Sequence, residues 1–134
     1  MSWEPENLRV LIVDDSRAMR RIVRKYLERN GVTRIAEAGN GQSALDLARF
    51  QPLDLIVSDL NMPVMSGMEL LKILKKDPDL KKICFIILTV EAIQKTMNLA
   101  MEMGADSYIV KPITETLFMK EIKRVLDIFP SRSI

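Results

Sequence analysis

The chain contains no histidine. A histidine general base, a Ser-His-Asp triad and a histidine-ligated zinc centre are therefore excluded. A phosphohistidine of the chain's own is excluded too, so any histidine chemistry has to arrive with a partner. Cysteine occurs once, as Cys84, which rules out an intrachain disulfide framework and points to a reducing compartment. Cys84 lies in an apolar segment, where a lone thiol acts as a small buried hydrophobe. No apolar stretch approaches the roughly 20 residues of a membrane span, and the N-terminus carries no basic-then-apolar signal pattern. A cytoplasmic protein without membrane insertion is expected. Neither sign of charge dominates: 20 Lys and Arg against 18 Asp and Glu leave +2, too little to argue for nucleic acid. No repeat, low-complexity tract or linker interrupts the 134 residues, a length that fits one domain.

What the chain has is a set of apolar runs, over residues 8–13, 53–57, 85–88 and 108–110. They lead respectively into Asp14-Asp15, Ser58-Asp59, Thr89 and Lys111, residues able to do phosphate or metal chemistry. Short apolar runs of this length read as strands buried on both faces, in a parallel sheet covered by helices. Residues 33–38 alternate in character and read as a further short strand. Ser16 caps a helix whose apolar stripe is Met19, Ile22, Val23, Tyr26 and Leu27, ended by Gly31. Its opposite face carries Arg17, Arg20, Arg21, Arg24 and Lys25, either a solvated face or a docking surface for an acidic partner. Gly39-Asn40-Gly41 turns into a second helix through Ala44, Leu45, Leu47 and Ala48. A third helix follows Ser66-Gly67 through Leu70, Leu71, Ile73 and Leu74. A fourth spans about 92–103 and stops at Gly104, with Met97, Met101 and Met103 read mainly as core filler. The last helix follows Pro112, and its stripe includes Leu117, Ile122, Val125 and Leu126. Five strands alternating with five helices predict an α/β, doubly wound sheet. Residues 1–6 read as a flexible tail with an unanchored Trp3, and 7–134 as a single domain.

In such a sheet the carboxyl ends of the strands form the ligand crevice. Asp14, Asp15, Asp59, Thr89 and Lys111 are thereby expected on one rim. Three carboxylates beside one ammonium carry a formal charge of about −2, a repulsion that a divalent cation relieves. Carboxylate oxygen, water and backbone carbonyl make the ligand set of Mg²⁺. The ion, the Lys111 ammonium and the Thr89 hydroxyl form a pocket for a dianionic oxyanion. An aspartate there can attack a phosphoryl group to give an acyl phosphate. Asp59, alone at its strand end, is the candidate nucleophile, and Asp14 with Asp15 the pair that holds the ion.

Five segments, in order and each at an expected strand end or helix start, resemble response-regulator receiver domains. They are Val13-Asp14-Asp15-Ser16, Met19-Arg20-Arg21-Ile22-Val23-Arg24, Ser58-Asp59-Leu60-Asn61-Met62-Pro63, Thr89-Val90-Glu91-Ala92 and Tyr108-Ile109-Val110-Lys111-Pro112. The resemblance covers about residues 7–128 and is to the single-domain chemotaxis type. It implies a flavodoxin-like five-stranded parallel sheet of order 2-1-3-4-5. It also implies that Asp59 accepts a phosphoryl group from the phosphohistidine of a sensor histidine kinase. Asp15 and Asp59 then coordinate Mg²⁺, Asp14 acts mainly through a bound water, and Asn61 contributes its backbone carbonyl. Lys111 pairs with a carboxylate oxygen before transfer and a phosphoryl oxygen after it, aimed by a cis bond at Pro112. On phosphorylation Thr89 moves toward the new oxygens and Tyr108 swings inward, reshaping the surface of helix 4, strand 5 and helix 5 for a downstream protein. A flagellar motor switch protein is the favoured target, with a phosphorelay carrier or phosphate sink as the alternative role. Such a chain catalyses its own phosphotransfer and autodephosphorylation but signals rather than turning over a substrate, and it is expected to be a monomer.

Some positions depart from the family pattern. Leu60 stands where a Trp is known, so tryptophan fluorescence is not expected to report the metal. Val90 replaces a smaller Ala and narrows access to the acyl phosphate, and Ser66 replaces the usual Asp before Gly67. Asn61 and Glu91 occupy the positions that tune attack by water, implying self-dephosphorylation in seconds to minutes. Two other classes stay in view. An aspartyl phosphatase of the haloacid dehalogenase type needs a second carboxylate two residues after the first, where Ser16 stands. A flavodoxin-like binding module or FMN carrier needs a Ser/Thr/Gly-rich loop where Asp14-Asp15 stands.

Overall fold

The computed structural model describes residues 3–126. Residues 1 and 2 of the expected tail and 127–134 of the expected domain lie outside them. Strands β1 (Arg9–Val13), β2 (Arg34–Ala38), β3 (Leu55–Ser58), β4 (Cys84–Thr89) and β5 (Ser107–Val110) alternate with helices α1 (Arg17–Arg29), α2 (Gly41–Phe50), α3 (Gly67–Lys76), α4 (Gln94–Glu102) and α5 (Glu115–Val125). All strand pairs are parallel, in the order β2-β1-β3-β4-β5. The chain leaves β1 to one side for β2 and returns to the other side for β3. The crevice of a doubly wound sheet opens at that reversal.

Successive side chains of the central strands point to opposite faces, and both faces are covered. Leu11, Val13, Ile56, Phe85 and Ile87 pack with the buried residues of α2 and α3. Val10, Ile12, Leu55, Val57, Ile86 and Leu88 pack with Val23 and Leu27 of α1 and Phe118, Met119 and Ile122 of α5. Phe118 is fully buried, its ring tilted 48° to that of Tyr26 at 5.9 Å. Burial of such a side chain contributes about 1.5–3 kcal/mol.

The helix ends follow local chemistry. Ser16 Oγ accepts the Met19 N–H at 3.2 Å, Asn40 caps α2 and Thr114 caps α5. Ser66 and Glu69 form a reciprocal capping box at α3, so serine serves where aspartate is usual; each cap is worth about 1 kcal/mol. Gly31, at φ +88°, lets α1 end with Val32 N–H bonding back to the Leu27 carbonyl and Gly31 N–H to that of Glu28.

Several expectations are corrected. α4 begins at Gln94, about two residues later than expected, and its N-cap Ile93 makes no side-chain hydrogen bond to the first N–H groups. Leu117 is 54% exposed, and Phe118 and Met119 turn inward in its place. Ile22 is 42% exposed; with Met19, Tyr26, Val90 and Ile113 it lines an apolar groove of about 310 Å³. Trp3 is not unanchored: it packs on the α1–α5 side of the sheet, with Lys123 Nζ 5.0 Å from its ring centroid. A short helical turn at Pro5–Asn7 leads into β1. Cys84, first in β4, is only half-buried, and burial pushes its thiol pKa up. The basic face of α1 is divided: Arg20 and Arg24 pair with Glu37, while Arg17, Arg21 and Lys25 face solvent. Among the described residues no helix is long and apolar enough to cross a membrane.

Candidate functional site

Sheet hydrogen bonds continue into the residues just beyond the strands. Asp14 N–H donates to the Ala38 carbonyl at 3.1 Å, Asp59 N–H to that of Val13 at 2.9 Å, and Lys111 N–H to that of Thr89 at 2.8 Å. Each of these side chains therefore springs from backbone that the ladder still holds, at the edge where the ladder stops. That is how strand ends combine rigidity with an open rim.

Lys111 Nζ lies 2.9 Å from Asp14 Oδ2 and 3.3 Å from Asp59 Oδ2, and the three side chains are 10%, 8% and 13% exposed. The remaining carboxylate oxygens are oriented by backbone donors. Asp14 Oδ1 accepts the Ser16 N–H at 2.9 Å, and Asp59 Oδ1 accepts those of Leu60 at 2.7 Å and Asn61 at 3.4 Å. Asp15 is exposed, yet one oxygen from each of Asp14, Asp15 and Asp59 lies within 4.8 Å of the others. Thr89 is fully buried, and its Oγ1 accepts the Glu91 N–H at 3.4 Å. Tyr108 is half-buried and its hydroxyl donates to the Glu91 carbonyl at 2.8 Å. Burial, then the charges of Glu91 and Asp59, push its phenol pKa up. Asn61 is exposed beside Asp59, Glu91 is half-buried, and the Lys111–Pro112 peptide bond is cis.

The structure thus brings Asp14, Asp15, Asp59 and Lys111 into one cluster and ties Thr89, Glu91 and Tyr108 into a neighbouring network. Three supporting residues complete the site: Gly67 and Arg20 were assigned no role there from sequence, and Ser58 was read only as one of the residues that end an apolar run. Gly67 N–H donates to the Leu60 carbonyl at 2.9 Å, and a β-carbon at position 67 would lie 2.1 Å from the Asp59 carbonyl oxygen. Only glycine lets α3 start so close to the Asp59 backbone. Buried Ser58 donates to that same oxygen at 2.8 Å. Arg20 Nη1 donates to the Asp14 carbonyl at 2.6 Å. A glycine straight after a helix cap was a visible signal; the two others depend on contacts that spacing does not reveal.

The cluster suits a hard divalent cation. Its donors are carboxylate oxygens, one ammonium is too little to balance three of them, and Asp15 has no hydrogen-bond or ion-pair partner among the described residues. Charge and oriented donors at a water-accessible rim, beside a carboxylate anchored through its backbone, are what phosphoryl transfer needs.

Comparison with known proteins agrees. The family model for the response regulator receiver domain matches residues 10–123. The chain is 35% identical over 122 residues to the chemotaxis protein CheY-3 of Vibrio cholerae serotype O1, spanning 91% of this chain and 94% of that protein. Among solved structures, chemotaxis protein CheY4 of Vibrio cholerae has a TM-score of 0.81 at 33% identity, over 88% of this chain and 98% of that one. The signal receiver domain of a signal transduction histidine kinase from Syntrophus aciditrophicus also has a TM-score of 0.81 at 33% identity, over 94% and 96%.

Proposed function

The chain belongs to the response regulator receiver family, and we propose that it works as a phosphorylation-controlled switch of a two-component system, with Asp59 as the phosphoryl acceptor. One observation carries this reading: Lys111 touches both Asp14 and Asp59 while the three carboxylates stand within 4.8 Å.

In the forward step an Asp59 carboxylate oxygen attacks the phosphorus of a phosphohistidine on a sensor histidine kinase. A P–O bond forms and the P–N bond breaks, its electron pair going to the imidazole nitrogen, which takes up a proton from water. Lys111, already 3.3 Å from Asp59, moves its ammonium from carboxylate to phosphoryl oxygen. Asp14, Asp15 and Asp59 would hold a Mg²⁺ ion with the Asn61 backbone carbonyl, and the bound ion supplies positive charge to the transferring group. Water attack on phosphorus, with Asn61 and Glu91 at the pocket's edge, returns the carboxylate and inorganic phosphate. Thr89 drawn toward the phosphoryl group, and Tyr108 packing behind it, carry the change to the α4–β5–α5 surface. The Tyr108 bond to the Glu91 carbonyl and the buried Thr89 beside it support that coupling.

The chemotaxis naming of similar proteins supports a chemotaxis role; within that role we propose a flagellar motor switch protein as the target and a cytoplasmic monomer as the acting form. The histidine-kinase receiver of like fold supports the second reading, a phosphorelay carrier or phosphate sink. Mass spectrometry after incubation with acetyl phosphate and Mg²⁺ tests the site. One phosphate is expected on the parent and none on Asp59→Asn; equal labelling of both would refute the assignment. Binding of a motor-switch peptide that is the same with and without phosphorylation would refute the motor reading alone.

A further inference from the structure

Asp15 is the member of the cluster that no side-chain contact restrains. Asp14 is held by Ser16 N–H and Lys111, and Asp59 by Leu60 N–H and Lys111. The exposed Asp15 carboxylate has no such partner among the described residues, yet it meets the other two within 4.8 Å. Its place is therefore set by backbone, through the peptide that joins Asp14 to Asp15. The carbonyl of that peptide is the Asp14 oxygen that accepts Arg20 Nη1 at 2.6 Å.

Arg20 is itself anchored. Its Nε donates to Glu37 Oε1 at 2.9 Å, and Arg24 Nε occupies Glu37 Oε2 at 2.7 Å. Glu37 lies on β2 opposite Ile12 of β1, so the support reaches back into the sheet. The Arg20 side chain is only 17% exposed. The hydrogen bonds from Arg24 and Arg20 keep the Glu37 carboxyl below its usual range, although burial pushes it the other way.

We propose that Arg20 is a positioning residue for divalent-cation binding: by gripping the Asp14 carbonyl and Glu37 together, it orients the Asp14–Asp15 peptide so that the Asp15 carboxylate joins those of Asp14 and Asp59. This rests on the reading of the rim as a Mg²⁺ site. Two effects of the residue oppose each other. Its positive charge near the cluster disfavours a second cation, so loss of charge alone tightens Mg²⁺ binding. Its grip preorganises a ligand, so loss of the grip weakens binding. Lysine separates the two, because it keeps the charge but lacks the planar fork that reaches both partners.

The test is calorimetric titration of Mg²⁺ into the unphosphorylated protein, with thermal unfolding in EDTA to confirm that each variant is folded. Arg20→Lys should bind Mg²⁺ about tenfold more weakly than the parent, the lower end of what supporting residues contribute to metal sites, and Arg20→Gln, which also loses the opposing charge, should bind more weakly than the parent by a smaller factor. Arg17→Gln, an exposed neighbour outside the brace, should bind as the parent does or more tightly. Adding Glu37→Gln to Arg20→Gln should cost nothing further, since the brace is already open. Parental or tighter binding by folded Arg20→Gln, parental binding by Arg20→Lys, or an equal loss in Arg17→Gln would overturn the proposal. If Arg20→Gln does not fold, Arg20→Lys and Glu37→Gln decide it in the same way. A parent that ignores Mg²⁺ sinks both the site reading and this inference, whereas a parent that binds with Arg20 variants that match it sinks only this inference.

Discussion

Asp15→Asn should make the metal-free protein more stable than the parent and the Mg²⁺-loaded protein less stable, so that the order of stabilities crosses. The effect originates in charge. At the 4.8 Å limit that bounds the cluster, two unit charges interact by about 0.9 kcal/mol at the dielectric of water and about 3.5 kcal/mol at an effective dielectric near 20. Asp15 is exposed, so the lower figure is the better guide. Its repulsion by Asp14 and Asp59, offset by attraction to the shared Lys111, leaves roughly one net repulsion. Neutralising it should stabilise the metal-free fold by roughly 1 kcal/mol, or about 3 °C in midpoint for a chain of this length. With Mg²⁺ the parent should gain stability by binding, and the variant, short of one of the proposed carboxylate ligands, should gain less. Urea unfolding in EDTA and again in millimolar Mg²⁺ reads both halves, with the EDTA midpoint of the variant higher by about 0.5 M. A variant less stable than the parent in EDTA would show that the carboxylates do not repel. An equal gain from Mg²⁺ in both proteins would remove Asp15 from the ligands.

Three further outcomes follow from single positions. Gly67→Ala places a methyl 2.1 Å from the Asp59 carbonyl oxygen, where neither backbone can yield; a loss of about 2–3 kcal/mol in urea unfolding and slower labelling by acetyl phosphate are expected, and parental values of both would refute the clash. Val64 is a β-branched residue at φ +68° and 80% exposed, so it bears strain with little burial in return. Val64→Asn should stabilise by about 1 kcal/mol without changing phosphorylation, and a destabilised variant would refute the strain. Hydrogen bonds from Arg9 hold the Asp54 carboxyl below its usual range, against a burial effect that raises it. The unfolded chain therefore takes up that proton first, and the pair's contribution, full above about pH 4, is lost as acid passes through the lower folded value. Arg9→Met should flatten the acid limb of stability below about pH 4; identical limbs in parent and variant would refute the linkage.

How far the chain could be read before its structure depended on the range of the interaction concerned. The strand ends were legible because an apolar run that stops at a charged or hydroxyl residue reports burial and its edge at once. Ser16, Ser66 and Gly31 were legible because caps act within four residues. α4 was placed too early because its start has no such cap, and apolar pattern alone does not locate an uncapped end. Leu117 and Ile22 were assigned inward because periodicity gives a stripe but not its width. Which edge of the stripe meets the sheet is set by how α1 and α5 lie against each other. Trp3 was misread for a similar reason: its partners, Lys123 and the α1–α5 side of the sheet, are far away in sequence.

The candidate site divides along the same line. Sequence by itself determined the chemical inventory: no histidine, three aspartates, a threonine and a lysine, each placed where a buried strand must end, because burial pattern and residue type are local properties. Only the tertiary structure decided that Lys111 spans Asp14 and Asp59, that Gly67 lets α3 sit against the Asp59 backbone, and that Arg20 reaches from α1 to the Asp14 carbonyl. Those contacts join separate elements across the sheet, and distances of that kind are fixed by how the layers pack.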